Sequence, residues 1–143
     1  FGLSGSGKSF ASSYLNELID NSFIIDGDTV RTLISNDLGY DIKSREIQIQ
    51  RIFGIADIAL KNRCFPIISS VYMNAEIAKK LTVKGICLYK IERDMNNIFK
   101  SHPTYTKNLV NIVGVDIPYE QFNYQVLTNN EENFCKQLIK LIS

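Results

Sequence analysis

Short apolar runs alternate along the chain with longer stretches in which apolar residues recur every three or four positions. The runs at Ser22–Asp26, Phe65–Ser69 and 85–91 are near-continuously apolar and of strand length, and 124–128 forms a fourth. Runs of that kind suit strands buried on both faces of a parallel sheet. Between them, Lys8–Leu18 has a helical pattern and 30–35 a shorter one. Over 44–62, Ile49, Ile52, Phe53, Ala56, Ala59 and Leu60 fall on one stripe of a long helix. Segments 75–81 and 131–142 are further amphipathic helices. The stretch 102–108, with Pro103 and the hydroxyl residues Thr104, Tyr105 and Thr106, carries no such period and predicts a mobile lid. The rhythm predicts an α/β fold of three layers, a mostly parallel sheet with helices on both faces. With no repeat, low-complexity tract or linker, a single domain is expected over 1–143.

Composition narrows the partners. The 143 residues, 45% hydrophobic and 22% charged, suffice for one core. Sixteen basic and 15 acidic residues nearly cancel, which argues against nucleic acid and for a small charged ligand. No apolar run approaches the roughly 18 residues that a membrane-spanning helix needs. Cys64, Cys87 and Cys135 are odd in number, widely spaced and beside apolar runs, so reduced core thiols in a cytoplasmic protein are expected, without a metal cluster.

The first eight residues after Phe1 carry the clearest chemistry. Gly2-Leu3-Ser4-Gly5-Ser6-Gly7-Lys8-Ser9 fills every fixed position of a phosphate-binding P-loop. Gly5 and Gly7 let successive backbone N–H groups converge on one anion, and the dipole of the following helix adds positive potential there. Lys8 reaches the β- and γ-phosphates and the Ser9 hydroxyl binds Mg²⁺ in such a loop, so ATP and Mg²⁺ are the expected cofactors, bound through Gly2, Ser4, Gly5, Ser6, Gly7, Lys8 and Ser9. A P-loop follows a buried strand. Only Phe1 of that strand is present, and the rest is expected upstream, an N-terminal strand cut short.

Asp26-Gly27-Asp28-Thr29-Val30-Arg31 follows the first apolar run at the sheet edge where open α/β folds bind ligands. Asp28 and Arg31, three apart at a helix start, share a face. The acid can orient or take a hydroxyl proton and the arginine can grip an anion. A turn with a helix cap is the plainer account of Asp-Gly-Asp. Beside a complete P-loop the acceptor-side account is preferred, with Lys8 and Asp28 as the catalytic pair.

From here the sequence resembles the adenylylsulfate (APS) kinase family, through the P-loop, Asp26-Gly27-Asp28 with Arg31, Leu38-Gly39-Tyr40, the helix carrying Arg45 and Gln48, Glu92-Arg93-Asp94, and Gly114-Val115-Asp116-Ile117-Pro118-Tyr119-Glu120. The resemblance spans the chain. It implies an ATP-dependent kinase acting on the ribose 3′-hydroxyl of a nucleotide. Asp28 is then the base or hydroxyl-orienting group, Arg31 and Arg45 bind the acceptor's phosphate or its substituent, and Tyr40 stacks on its base. Gln48 and Lys100 belong to the same acceptor side, and the segment after Phe99 closes over both nucleotides. Relatives are often dimers, which leaves a homodimer open. Gln48 stands where the family has Asn, and Asn96 where it has Lys. These departures leave cytidine diphosphoramidate, a bacterial capsule precursor, as an alternative acceptor to APS. An ATP-binding regulatory module without transfer is the alternative of another class.

Other residues are read conservatively. His102, the sole histidine, is expected at the surface. Asp116, Pro118, Tyr119 and Glu120 are expected to shape structure, and Lys107 to be solvated.

Overall fold

The computed structural model describes residues 1–107, 110–130 and 132–143, with the side chains of 100, 101 and 106 left out. Helix α1 (Lys8–Leu18) leads to strand β1 (Ser22–Asp26), helices α2 (Gly27–Leu33) and α3 (Ile42–Lys61), then β2 (Phe65–Ser69) and α4 (Ala75–Val83). Strand β3 (Tyr89–Glu92) precedes α5 (Met95–Ser101) and α6 (Pro103–Thr106), and β4 (Gln125–Thr128) precedes α7 (Phe134–Ile139).

Strands β1 and β2 pair in parallel, with Ile24 opposite Ile67 and Asp26 opposite Ser69. β3 and β4 do the same, with Ile91 opposite Leu127. Phe1 stands between the two pairs. Its nitrogen donates to the Tyr89 carbonyl (2.7 Å) and its carbonyl accepts from Ile91 N–H (2.8 Å), while Gly2 N–H donates to the Ser70 carbonyl (3.3 Å). The P-loop therefore leaves the middle of the sheet, and β1, β2, Phe1, β3 and β4 follow one another across it.

Burial explains the order. On one side, Ile25 of β1 packs with Ile49, Ile52 and Ala56 of α3 and with Ile77 and Leu81 of α4. Ile52 is fully buried, which contributes about 2–3 kcal/mol relative to an exposed side chain. A second cluster joins Ala11 of α1 to Ile91, Leu127, Phe134 and Leu138, so that β3 and β4 are covered by α1 and α7.

Several boundaries differ from the sequence expectation, and each has a local cause. α2 starts at Gly27 rather than 30, because Asp26 accepts from the Asp28 and Thr29 amides. Asp41 caps the Ser44 amide and starts α3 at Ile42. The strand expected over 85–91 is shortened to Tyr89–Glu92. Gly85 and Ile86 donate to Thr82 and Leu81 to close α4, with Gly85 at φ 78, so these residues turn instead of pairing. The last helix is shorter than 131–142, and residue 131 lies outside the described residues. The expected lid over 102–108 contains α6, and α5 precedes it, started by Asp94 capping Asn96; residue 108 lies outside the described residues.

The three thiols are free as expected, but none is in the core: Cys87 is exposed and Cys64 and Cys135 are half-buried. Cys87 lies in the connection left when α4 closes, which explains its exposure. Among the described residues no helix is long and apolar enough to cross a membrane, and no cluster of His, Cys, Asp and Glu could hold a metal ion.

Candidate active site

The P-loop is built by turns that only glycine adopts easily. Gly5 sits at φ 81 and Gly7 at φ 107, both in the left-handed region. A Cβ on Gly7 would run into the side-chain amide of Asn129, and a Cβ on Gly5 would lie 2.9 Å from Cδ2 of His102. Asn129 follows β4 and donates from Nδ2 to the Ser6 carbonyl (2.9 Å), fixing the loop from the neighbouring strand end.

Helix starts in this chain are capped by side chains at Asp26, Asp41, Asn74 and Asp94, which accept from first-turn amides of α2, α3, α4 and α5. Helix α1, like α7, has no side-chain cap among the described residues. In α1 the first amides thus have no side-chain acceptor at the end where the helix dipole is positive, and an anion in the cradle would supply one. The donor set fits a triphosphate with Mg²⁺: open amides at α1, the ammonium of Lys8, and the hydroxyl of Ser9 in the cavity wall.

Lys8 Nζ donates to the Leu3 carbonyl (2.7 Å) within its own loop. Burial lowers its pKa to about 8, and the nearby carboxylates of Asp28 and Asp26 act in the opposite direction. Because the folded value lies below the unfolded one, the folded state binds fewer protons between about pH 8 and pH 10.5, and stability rises with pH through that window. A bound polyphosphate adds negative charge beside Lys8 and restores its proton. Mg·ATP binding should then take up about half a proton at pH 8 and about a tenth at pH 7. Calorimetry in two buffers of different ionisation enthalpy measures this; a buffer-independent enthalpy at pH 8 would exclude it.

Opposite the loop lie the acceptor-side candidates. Asp26 carries the α2 cap, so the Asp28 carboxylate is outside it and remains in the cavity wall. The cap account of Asp-Gly-Asp is therefore correct for Asp26 and does not extend to Asp28. Arg31 Nη1 donates to the Gly39 carbonyl (2.6 Å), and its guanidinium lies 4.7 Å from the Tyr40 ring centre. Arg45 donates through Nε to the Tyr40 carbonyl (2.8 Å) and through Nη2 to the Asn111 carbonyl (2.7 Å), with its guanidinium 5.7 Å from the same ring. Both arginines are thus held by backbone carbonyls and retain their positive charge for an anion. Burial and the neighbouring Arg31 charge lower the Arg45 pKa from its usual value.

Gln48 is buried, and Nε2 donates to the Gly27 carbonyl (2.8 Å). That bond fixes the amide orientation, because the opposite flip would set oxygen against oxygen. Its buried Oε1 has no partner among the described residues.

One cavity of about 730 Å³ joins the two sides. Ser4, Gly5, Gly7, Lys8 and Ser9 line it from the P-loop, and Asp28, Arg31, Tyr40, Arg45 and Gln48 from α2, α3 and the connection between them. Gly2 and Ser6 do not line it. Gly2 is buried in the sheet, and the Ser6 amide donates within the loop to the Leu3 carbonyl (3.1 Å). The Lys100 side chain lies outside the described residues.

The residues expected to shape structure make such contacts. Tyr119 OH donates to the Val71 carbonyl (2.7 Å), Glu120 accepts from the Ala75 amide (2.8 Å), and Asp116 from the Ile112 amide (3.1 Å). The sequence reading missed Tyr72, Asn111, Asn129 and His102. Asn129 was findable, because it follows a strand at the edge where such sheets bind ligands. His102 is half-buried and lines the cavity against Gly5, which corrects its expected surface position.

Comparison with known proteins agrees with this geometry. The family described as "Adenylylsulphate kinase" matches residues 1–127. The adenylyl-sulfate kinase of Buchnera aphidicola is 29% identical over 161 residues, covering 99% of this chain and 77% of that protein. That of Myxococcus xanthus is 29% identical over 136 residues, covering 83% of this chain and 72% of its own. Among solved structures, the Mycobacterium tuberculosis APS kinase CysC in complex with AMPPNP and APS has a TM-score of 0.82 at 23% identity, covering 99% of this chain and 91% of that one. At that identity the likeness is one of fold: an α/β P-loop fold with a parallel sheet and flanking helices. A P-loop leaving the middle of the sheet, an acid and two arginines across one cavity, and a family match over nearly the whole length converge on one conclusion: the chain belongs to the adenylylsulphate kinase family and, with it, to the ATP-dependent kinases.

Proposed function

We propose that the chain transfers the γ-phosphate of ATP to the ribose 3′-hydroxyl of a nucleotide-activated small anion, with APS as the first acceptor to test. The observation that carries this reading is the single cavity in which the P-loop and the Asp28, Arg31, Arg45 and Tyr40 group face each other. An ATP-binding module without transfer has no need of that second wall.

In this reading the α1 amides and Lys8 hold the triphosphate, and Ser9 offers its hydroxyl to Mg²⁺, which when bound neutralises charge on the β- and γ-phosphates. Asp28 orients the acceptor hydroxyl in line with the γ-phosphate and takes its proton as the bond to phosphorus forms. Arg31 and Arg45 bind the acceptor's anionic part, and Tyr40, fixed by both guanidinium groups, offers its ring to the acceptor base.

A second acceptor to test is cytidine diphosphoramidate, because Gln48, which lines the cavity, stands where the resembled family has Asn, and a changed pocket residue can change which acceptor is preferred. ADP release measured with APS, cytidine diphosphoramidate, CDP and no acceptor tests both readings. Release that requires an added nucleotide supports a kinase of this type, and the preferred nucleotide names its acceptor. Release equal in all four refutes it.

A further inference from the structure

We propose that His102 is a phosphate-binding residue, donating a hydrogen bond from Nε2 to the β- or γ-phosphate of the nucleotide in the P-loop. The inference rests on the reading of that loop as a triphosphate cradle, and adds a ligand from the segment that follows α5.

The first observation is the tautomer. His102 Nδ1 accepts from the Thr104 amide at 3.3 Å. A neutral imidazole with Nδ1 as acceptor carries its proton on Nε2, which makes Nε2 a donor. The second is position. The ring lies over Gly5, where a Cβ would be 2.9 Å from Cδ2 and 3.2 Å from Cγ. Nε2 is bonded to that Cδ2, so the donor nitrogen is one bond from the atom nearest a Cβ at Gly5. Both His102 and Thr104 line the cavity beside Ser4, Gly5 and Lys8.

The third is support. Tyr105 packs on His102 with ring centres 5.9 Å apart, and Phe99 packs on Tyr105 at 4.8 Å, so the imidazole is braced from its own side of the cavity. Gly5 therefore has two roles. Its φ of 81 makes the turn, and its missing side chain leaves room for the imidazole to pack against the loop.

The chain has one histidine, so its imidazole signals in a ¹⁵N-labelled sample are assigned without ambiguity. Mg·AMPPNP should move the Nε2 resonance in the direction of a stronger donated hydrogen bond, and AMP should leave it in place. Calorimetry on His102→Leu should show AMPPNP binding weakened about tenfold or more, the size expected for a lost hydrogen bond to a charged group, with AMP affinity within about twofold. His102→Gln, whose amide can donate from a similar position, should recover most of the loss.

An unmoved Nε2 resonance overturns the proposal. So does an equal loss for AMP and AMPPNP, which would mark a packing role. The spectrum of the unaltered protein decides the matter even if the leucine variant folds poorly. Failure of the unaltered protein to bind AMPPNP at all would instead remove the cradle reading, and His102 with it.

Discussion

Replacing Lys8 by alanine should lower turnover by about two to three orders of magnitude while leaving the fold intact. The size follows from removing a preorganised positive charge at the point where the transferring phosphoryl group develops charge, in a site partly shielded from water. Stability should change little, for reasons specific to this lysine. Burial disfavours its charged form enough to bring the pKa to about 8, so removing the ammonium also removes a desolvation cost. The Leu3 carbonyl loses its 2.7 Å donor, a penalty of about 1 kcal/mol in the other direction. A thermal melt beside an ADP-release assay separates the two effects. Activity within a few-fold of the unaltered protein, in a variant that melts normally, would refute the role of Lys8.

Asp28→Asn is the second large effect. The substitution keeps shape and hydrogen-bonding capacity but removes the carboxylate proposed to orient the hydroxyl and accept its proton, so kcat should fall by about 10²- to 10⁴-fold. Helix α2 should survive, because its first amides are capped by Asp26. Triphosphate affinity should stay within about threefold, because Asp28 lies on the cavity wall outside the P-loop and the donors of that loop are untouched. One indirect effect is expected. The Asp28 charge opposes the lowering of the Lys8 pKa, so without it Lys8 loses its proton at lower pH and proton uptake on Mg·ATP binding at pH 8 increases. A kcat within threefold of the parent would sink the assignment; a collapse in melting temperature would show that Asp28 has a structural role instead.

Gln48 and His102 show how position changes the meaning of a residue. Periodicity places Gln48 on the apolar stripe of α3, and there a polar side chain needs partners. Folding supplies one, the Gly27 carbonyl, and leaves the buried amide oxygen without a donor among the described residues. His102 carries no local pattern at all. Its relation to Gly5 spans 97 positions along the chain and exists only once the segment after α5 lies on the P-loop.

Much was legible because it is local. The P-loop is a contiguous pattern whose glycines and lysine have fixed backbone and charge requirements. The start and end of α1, the first two strands and the stripe of α3 follow from runs and periods of neighbouring residues. Boundaries set by hydrogen bonds were less legible. Asp26 and Asp41 start helices earlier than apolar periodicity indicates, Asp94 starts one where none was expected, and Gly85 with Ile86 takes the first part of an apolar run out of the sheet.

By itself, the sequence determined the P-loop pattern, the α/β class and the placing of Asp28 and Arg31 at the sheet edge beside it, because each depends on residues within a few positions of one another. The tertiary structure alone decided that the P-loop and the wall formed by Asp28, Arg31 and Arg45 share one cavity, that Arg45 is held among the described residues by the carbonyls of Tyr40 and Asn111 and not by an acid, and that Asn129 and His102 reach the P-loop. The physical reason is that these contacts form between strand ends and helix starts far apart in the chain. Burial of the two apolar clusters brings them to one edge of the sheet, and no local pattern records which side chains then meet.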